Sequence, residues 1–163
     1  MKKAGHINGF SVIELLIALA ITAMLLAAVA VAFNASIKNY SENEDIFRAV
    51  NSARQALYRI TTQLRTATAV NPSSPANECA FITAGGEDIT YRYNSTDGKL
   101  YLITNINGQE FVLCDNVKSM SFIKTLTDDG LDCKSVQISM TVEIDENIER
   151  TVSGAVVIRR NLN

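Results

Sequence analysis

The sequence predicts an α+β fold, in which one long N-terminal helix packs on a C-terminal module of antiparallel β-strands. Two observations lead to this prediction. Neither Gly nor Pro interrupts the chain between Phe10 and Val70, and the apolar residues there recur at helical spacing. From Cys79 onward, short β-prone runs alternate with turn residues instead. The length of 163 residues suffices for one ordinary domain and hardly for two.

Residues 1–9 form a short leader. It contains Lys2, Lys3 and the single histidine of the chain, His6. Because positive charge beside an apolar segment favours the cytoplasmic side of a membrane, the two lysines predict a cytoplasmic N-terminus. The bulk of the chain would then lie outside the cytoplasm.

Residues 10–33 predict a single-pass transmembrane segment, since only Ser11, Glu14 and Thr22 are polar in this range. A helix over these residues would reach roughly 36 Å, which exceeds the hydrocarbon thickness of about 30 Å. A cleaved secretory signal peptide is the alternative, which the Ala-rich stretch Ala27–Ala32 leaves open. A signal peptide, however, has a shorter apolar region and a small-residue cleavage site before the folded domain.

Residues 34–70 predict that the helix continues outside the membrane as an amphipathic half. One face is apolar and carries Ile37, Tyr40, Phe47, Val50, Leu57, Ile60, Leu64 and Ala67. The opposite face is charged and carries Lys38, Glu42, Arg48, Arg54, Arg59 and Arg65. The turn-forming "NPSSP" at 71–75 ends the predicted helix after Val70. The whole helix would have about 60 residues and a length on the order of 90 Å.

Residues 71–163 predict a β-rich globular module. Apolar and polar residues alternate between Val136 and Ile144, which is the period of a strand with one buried face. Short connections between successive runs favour antiparallel pairing. We expect one apolar sheet face to cover the apolar stripe of the helix, because a module of this size is marginally stable alone.

Three cysteines, Cys79, Cys114 and Cys133, lie in this module. Outside the cytoplasm, such a set predicts one disulfide and one remaining thiol. In a four-strand meander, the start of the first strand and the finish of the fourth lie at the same end of the sheet. This arrangement favours Cys79 with Cys114, and Cys133 is the alternative partner. Two intervening strands could still separate the favoured pair beyond the limit of about 7 Å between Cα atoms.

Charge and composition exclude several classes of function. From Asn71 onward, eight Lys/Arg stand against thirteen Asp/Glu, so the module lacks the basic surface that nucleic acids require. No histidine follows His6, so later residues cannot form a Ser–His or Cys–His pair or a two-His zinc site. We therefore expect no catalytic residues and no resident cofactor.

The loop "TDDGLD" at 127–132 is the one candidate for a metal site. Asp128, Asp129 and Asp132 around Gly130 could offer oxygen ligands to Ca²⁺. The loop lacks the EF-hand register and the bidentate Glu that closes it. We expect a solvated loop, and calcium binding is the lesser alternative.

Glu14 is the unusual residue of the apolar block. A carboxylate within a membrane helix costs roughly 2.5 to 3.5 kcal/mol and usually has a partner. The sequence around it, "GFSVIE" at 9–14, follows a leader with lysines and precedes a long apolar helix. This pattern resembles the processing site of type IV pilins and pseudopilins. The resemblance is specific from Met1 to about Phe33 and looser in the helix and strands that follow.

The resemblance implies that a membrane aspartyl peptidase cuts between Gly9 and Phe10 and that the new amine of Phe10 is methylated. It also implies that Glu14 meets the terminal amine of a neighbouring subunit in a filament. Each charge is costly to bury alone, whereas the pair offset one another. The implied partners are the prepilin peptidase/methyltransferase, other pilin or pseudopilin subunits and an inner-membrane assembly platform.

Two shorter patterns refine the resemblance. In these segments the chain looks most like the J-type minor pseudopilins of type II secretion and the related minor pilins of type IV pili. The segments are "RQALYRITTQLRTA" near the end of the predicted helix and the closing "VVIRRN". The sequence does not choose between type II secretion and a type IV pilus. Two other classes of protein are alternatives: a signal-anchored envelope binding protein that does not polymerise, and a membrane-tethered enzyme with an unrecognised carboxylate or thiol site.

Overall fold

The computed structural model describes residues 10–145 and 148–161. Residues 1–9, which include the predicted leader and Gly9, lie outside the described ranges. The chain divides into two compact units, Met1–Glu44 and Asp45–Asn163. One helix, α1, spans Val12–Arg65 and so contributes to both units.

In the first unit, every described residue up to Glu44 is exposed. The side chains from Phe10 to Phe33 therefore present an apolar surface all round the helix. Helix α1 is long and apolar enough, by length and composition, to cross a membrane. An exposed apolar surface of this extent requires lipid or other protein to cover it.

In the second unit, α1 buries one stripe against the β-strands. The fully buried side chains are Ala53, Ala56, Ile60 and Leu64, spaced three or four residues apart as one helix face requires. Leu57 packs partly buried beside them, whereas Phe47 from the predicted stripe is exposed. The predicted charged face is exposed as expected. The α+β architecture predicted from the sequence is confirmed.

Helix α1 ends at Arg65, earlier than the predicted end at Val70. Its last turn closes with bonds from the Thr66 amide to Gln63 O and from the Ala67 amide to Leu64 O, both at 3.2 Å. Ala69–Val70 then forms a short strand, β1. The extended conformation is favoured over another helical turn because it pairs with the next strand and buries Val70.

Within the described ranges, seven further strands follow. They are β2 (Glu78–Ile82), β3 (Asp88–Asn94), β4 (Lys99–Thr104), β5 (Gln109–Cys114), β6 (Val117–Leu126), β7 (Cys133–Asp145) and β8 (Ile148–Val157), before a 3₁₀ turn at Arg159–Asn161. All neighbours pair antiparallel, as predicted. The strands form two sheets rather than one: a five-stranded sheet in the order β1-β2-β3-β4-β5 and a three-stranded sheet in the order β6-β7-β8.

The change of sheet takes place between β5 and β6. Asn116, in the connection, has a positive φ of 53°, which Asn tolerates better than most residues. The Val117 amide then donates to Gly98 O at 2.8 Å. Gly98 has a φ of 64°, and a Cβ there would lie 3.3 Å from Val117 O. Glycine at 98 therefore permits both the tight turn and the close approach of the two chain segments.

The core lies between the α1 stripe and the inner faces of both sheets. Its largest fully buried side chains include Ile60, Leu64, Tyr91, Leu100, Ile138, Met140 and Ile158. The Tyr91 hydroxyl donates to Gln63 Oε1, which ties β3 to the helix. On β8, an added Cβ at Gly154 would lie 3.4 Å from Leu57 Cδ2, so the missing side chain lets the helix approach closely.

Candidate functional site

The site predicted from the sequence lies at the start of α1, where Ser11 and Glu14 form a capping box. The Ser11 amide donates to Glu14 Oε2 at 3.0 Å, and the Ile13 amide donates to Ser11 Oγ at 3.3 Å. These bonds satisfy amide groups that have no acceptor within the first turn of a helix. The Glu14 carboxylate also lies at the positive end of the helix dipole. An intrachain role for Glu14 is therefore visible, and the sequence analysis missed it although the S-x-x-E spacing was present.

The capping box holds the carboxylate beside the predicted processing position. Phe10 and Ser11 precede the helix, and the Phe10 side chain is 79% exposed. Glu14 Oε2 accepts from the amide of Ser11, which is the residue after Phe10. Because an ionised carboxylate offers about four lone-pair sites, this bond leaves Glu14 capacity to accept from an ammonium group. Gly9 itself lies outside the described residues.

The third polar residue of the apolar block is also satisfied within its own helix. The Thr22 hydroxyl donates to Ala18 O at 2.7 Å. A hydroxyl bonded in this way adds little cost inside a hydrocarbon layer. Glu14 is thus the only ionisable residue between Phe10 and Phe33, and a carboxylate in such a segment usually has a charged partner.

The three aspartates of the 127–132 loop do not converge. Asp129 Oδ1 accepts from Thr127 Oγ1 at 2.5 Å and from the Leu131 amide at 3.2 Å, and these bonds hold the pKa of Asp129 below its ordinary value. Asp132 Oδ1 accepts instead from the Val70 and Cys133 amides, at 2.9 and 2.6 Å. Among the described residues, no group of three His, Cys, Asp or Glu could hold a metal ion.

Replacing Asp132 by alanine should destabilise the protein, because two amides would lose their acceptor. We expect a loss of about 1–3 kcal/mol in the free energy of unfolding. Urea unfolding of the full chain in detergent measures it. Asp129→Ala, in the exposed part of the same loop, is the matched control and should cost less. If added CaCl₂ stabilised the wild type but neither variant, the loop would be a calcium site after all.

The predicted Cys79–Cys114 disulfide is wrong in this structure. All three cysteines are buried thiols. Cys79 on β2 lies opposite Tyr91, and β3 and β4 separate it from β5, which ends at Cys114. Three inter-strand steps of about 4.8 Å place β5 roughly 14 Å from β2, twice the distance a disulfide tolerates. The Cys114 thiol instead accepts from Ser52 Oγ at 3.8 Å and donates to Asp115 O at 3.4 Å.

Lys124 is a structural tie that the sequence analysis overlooked. Its ammonium donates to three backbone carbonyls, Ser74 O at 2.6 Å, Glu78 O at 2.9 Å and Pro75 O at 3.1 Å. Lys124 thereby joins β6 of one sheet to the segment that leads into β2 of the other. Alternation along β6 could have indicated it, since Met120, Phe122 and Lys124 share one side of the strand.

Comparison with known families gives one finding. Residues 6–30 match the family model described as the prokaryotic N-terminal methylation motif. The matched range includes Gly9, Phe10 and Glu14 and extends into the middle of the apolar block. No curated protein and no solved structure matches the chain. The motif supports a pilin-like family, the type of protein that prepilin peptidase processes, and the exposed apolar helix that carries the motif is consistent with membrane anchoring.

Proposed function

We propose that this protein is a minor pilin or pseudopilin, a structural subunit of a periplasmic filament in type II secretion or a type IV pilus. One observation carries the proposal: the match to the methylation motif, at residues 6–30, overlaps the start of α1, whose first turn holds Glu14 and whose residues up to Glu44 are exposed. A helix of this kind is stable in a bilayer, and it can also be covered by identical helices of neighbouring subunits.

Processing would convert the anchor into an assembly element. Cleavage between Gly9 and Phe10 removes Lys2 and Lys3, whose charges hold the precursor on the cytoplasmic side. It also exposes a positively charged amine on Phe10, close to the carboxylate of Glu14. The amine of one subunit and the carboxylate of the next then offset each other's cost of burial. Correctly aligned subunits are stabilised by this pair, whereas misaligned subunits bury uncompensated charges.

The second unit would supply recognition rather than catalysis. From Asn71 onward its sequence is acidic, and the unit contains no histidine, which favours a structural role without catalytic residues or a resident cofactor. Specific neighbours would be chosen by this unit, while the apolar helix supplies the common packing. The stretch Ala18–Ala32 contains many small side chains, which allow helices to pack closely.

Mass spectrometry of the N-terminus tests the proposal directly. Full-length protein should be recovered from cells with an active prepilin peptidase and from matched cells that lack it. In the first case, we expect a chain that begins at Phe10 and carries one methyl group on its amine. In the second case, the chain should begin at Met1. A chain that keeps Met1 although the peptidase is active would favour an anchored envelope protein that does not polymerise.

A further inference from the structure

We infer that Cys79 and Cys133 form an intramolecular disulfide while the second unit folds, and that Cys114 stays reduced. The pairing is inferred from the arrangement of the two cysteines. Formation of the disulfide in cells rests also on the proposed function, which places the second unit in the periplasm. No part of the fold as described above requires this bond, so it would be an added modification of the core.

Both thiols lie in the core. Cys79 on β2 and Cys133 at the start of β7 are each 0% exposed, and the core cluster to which they belong also contains Cys114. Strands β3 and β4 separate Cys114 from Cys79 in the five-stranded sheet, whereas Cys133 comes from the other sheet. The strand order therefore excludes Cys114 as the partner of Cys79 and leaves Cys133.

The backbone on one side of Cys79 is linked to the segment that carries Cys133. Asp132 Oδ1 accepts from both the Cys133 and the Val70 amides, so it holds the start of β7 against β1. Strand β1 pairs with β2, and the next amide, Asn71, donates to Ala80 O at 2.9 Å. Ala80 directly follows Cys79. One carboxylate and one strand pair therefore connect the two cysteines.

The backbone on the other side of Cys79 is linked through β6. Leu126 on β6 pairs with Cys133 on β7. Two residues earlier, Lys124 donates from its ammonium to Glu78 O at 2.9 Å. Glu78 directly precedes Cys79. Both chain neighbours of Cys79 are thus hydrogen-bonded to elements that also hold Cys133, which fixes the two residues relative to each other.

Electrostatics agree with this geometry. Burial raises the pKa of the Cys79 thiol to about 12, the Lys124 ammonium lowers it, and the neighbouring Cys133 raises it. Burial is likewise the main cause that raises the pKa of Cys133, the Asp132 carboxylate raises it further, and Lys124 again lowers it. The pKa of Cys114 responds to burial, Ser52 and Asp115 instead. Cys79 and Cys133 therefore share an environment that Cys114 does not.

The burial of both thiols dictates when the bond can form. A thiol with a pKa near 12 has almost no thiolate at neutral pH, so it reacts very slowly in the folded protein. During folding, one cysteine thiolate attacks a disulfide of a protein dithiol oxidant and releases one thiol of that oxidant. The second cysteine then attacks the mixed disulfide and releases the other thiol. The cysteines lose two electrons and two protons, and the oxidant disulfide is reduced to a dithiol.

Refolding in a redox buffer tests the pairing independently of the cell. The full chain in detergent is reduced, unfolded in urea and refolded with reduced and oxidised glutathione, and remaining thiols are alkylated after a second denaturation. Peptide mapping without reduction should show a Cys79–Cys133 link and alkylation of Cys114 alone. Already folded, reduced protein in the same buffer should keep three alkylatable thiols for much longer. A link that includes Cys114, or three alkylatable thiols after refolding, would overturn the inference.

Matched variants separate the bond from general damage to the core. Cys114→Ala should keep the link and the drop in Tm on reduction, which we expect to be about 10 °C. Cys79→Ala and Cys133→Ala should lose both, and their Tm should no longer depend on reduction. A Tm in the wild type that does not respond to reduction would contradict the inference even if the alanine variants fail to fold.

Protein trapped by rapid alkylation in intact cells tests the compartment. The same Cys79–Cys133 link found there supports both the pairing and the periplasmic placement. If the link forms on refolding while cellular protein keeps three thiols, the pairing stands, and the periplasmic placement in the proposed function is overturned.

Discussion

Replacing Glu14 by alanine should abolish incorporation into filaments while leaving membrane insertion intact. Removal of one partner from a buried ion pair typically costs about 3–5 kcal/mol, because the other charge stays buried and uncompensated. At about 1.4 kcal/mol per factor of ten, this corresponds to a loss of roughly 100-fold or more in assembly. Crosslinking or filament fractionation measures assembly, and membrane fractionation measures insertion.

The capping box makes Glu14→Gln the decisive companion variant. Glutamine can still accept from the Ser11 amide, so the variant retains the cap and removes only the charge. If the charge pairs with a neighbouring amine, the glutamine variant should fail to assemble like the alanine variant. If it assembles normally, the acid serves only to cap α1 and the proposed docking contact is wrong.

An acid elsewhere on the same unit provides the control for Glu14. Glu42 is exposed and lies 3.8 Å from Lys38 in a surface ion pair one helical turn away. Surface pairs of this kind contribute about 0–1 kcal/mol. Glu42→Ala should therefore assemble as the wild type does. Equal loss of assembly in both variants would point to helix charge in general rather than to Glu14.

The helix and the strands were predictable because their signals are local. Alternation between Val136 and Val142 predicted β7, and in the structure Val136, Ile138, Met140 and Val142 are all buried. The capping box was equally local, since Ser11 and Glu14 stand at its characteristic spacing. It was overlooked only because the same residues were interpreted as a processing motif.

The end of α1 was not predictable from local signals. Residues 66–70, from Thr66 to Val70, include nothing that breaks a helix, and the first turn-forming residues come at "NPSSP". The structure ends the helix earlier because β2 offers Ala69 and Val70 backbone partners. A partner strand whose residues lie eleven to thirteen positions further along the chain leaves no trace in the helical periodicity.

The division into two sheets and the partners of the cysteines depend on still longer-range packing. The connection at Asp115–Asn116 is as short as a hairpin, yet the structure uses it to change sheets. A meander over β2 to β5 was predicted correctly, and it separates Cys79 from Cys114. The approach of Cys133 from the other sheet follows only from the three-dimensional arrangement.

Replacing Ile60 by alanine should strongly destabilise the second unit. Ile60 is 0% exposed and lies at the centre of the α1 stripe, between Ala56 and Leu64. Removal of such a side chain leaves a cavity and typically costs about 2–5 kcal/mol. For a chain of this size, each kcal/mol lowers Tm by roughly 2–4 °C, so the total decrease should be on the order of 10 °C. Thermal unfolding of the full chain in detergent, followed by near-UV circular dichroism, measures it.

Tyr58, two residues away, is the matched control because its side chain is 73% exposed. Tyr58→Ala removes a larger side chain from the same helix, and it should change the free energy of unfolding by no more than about 0.5 kcal/mol. Equal losses in the two variants would mean that packing of the α1 stripe on the sheets does not determine stability, since alanine favours the helix at both positions. A loss confined to Ile60→Ala shows instead that the second unit depends on the helix to complete its core. Anchoring and folding are then coupled, since the helix that carries the apolar segment also supplies one wall of the core.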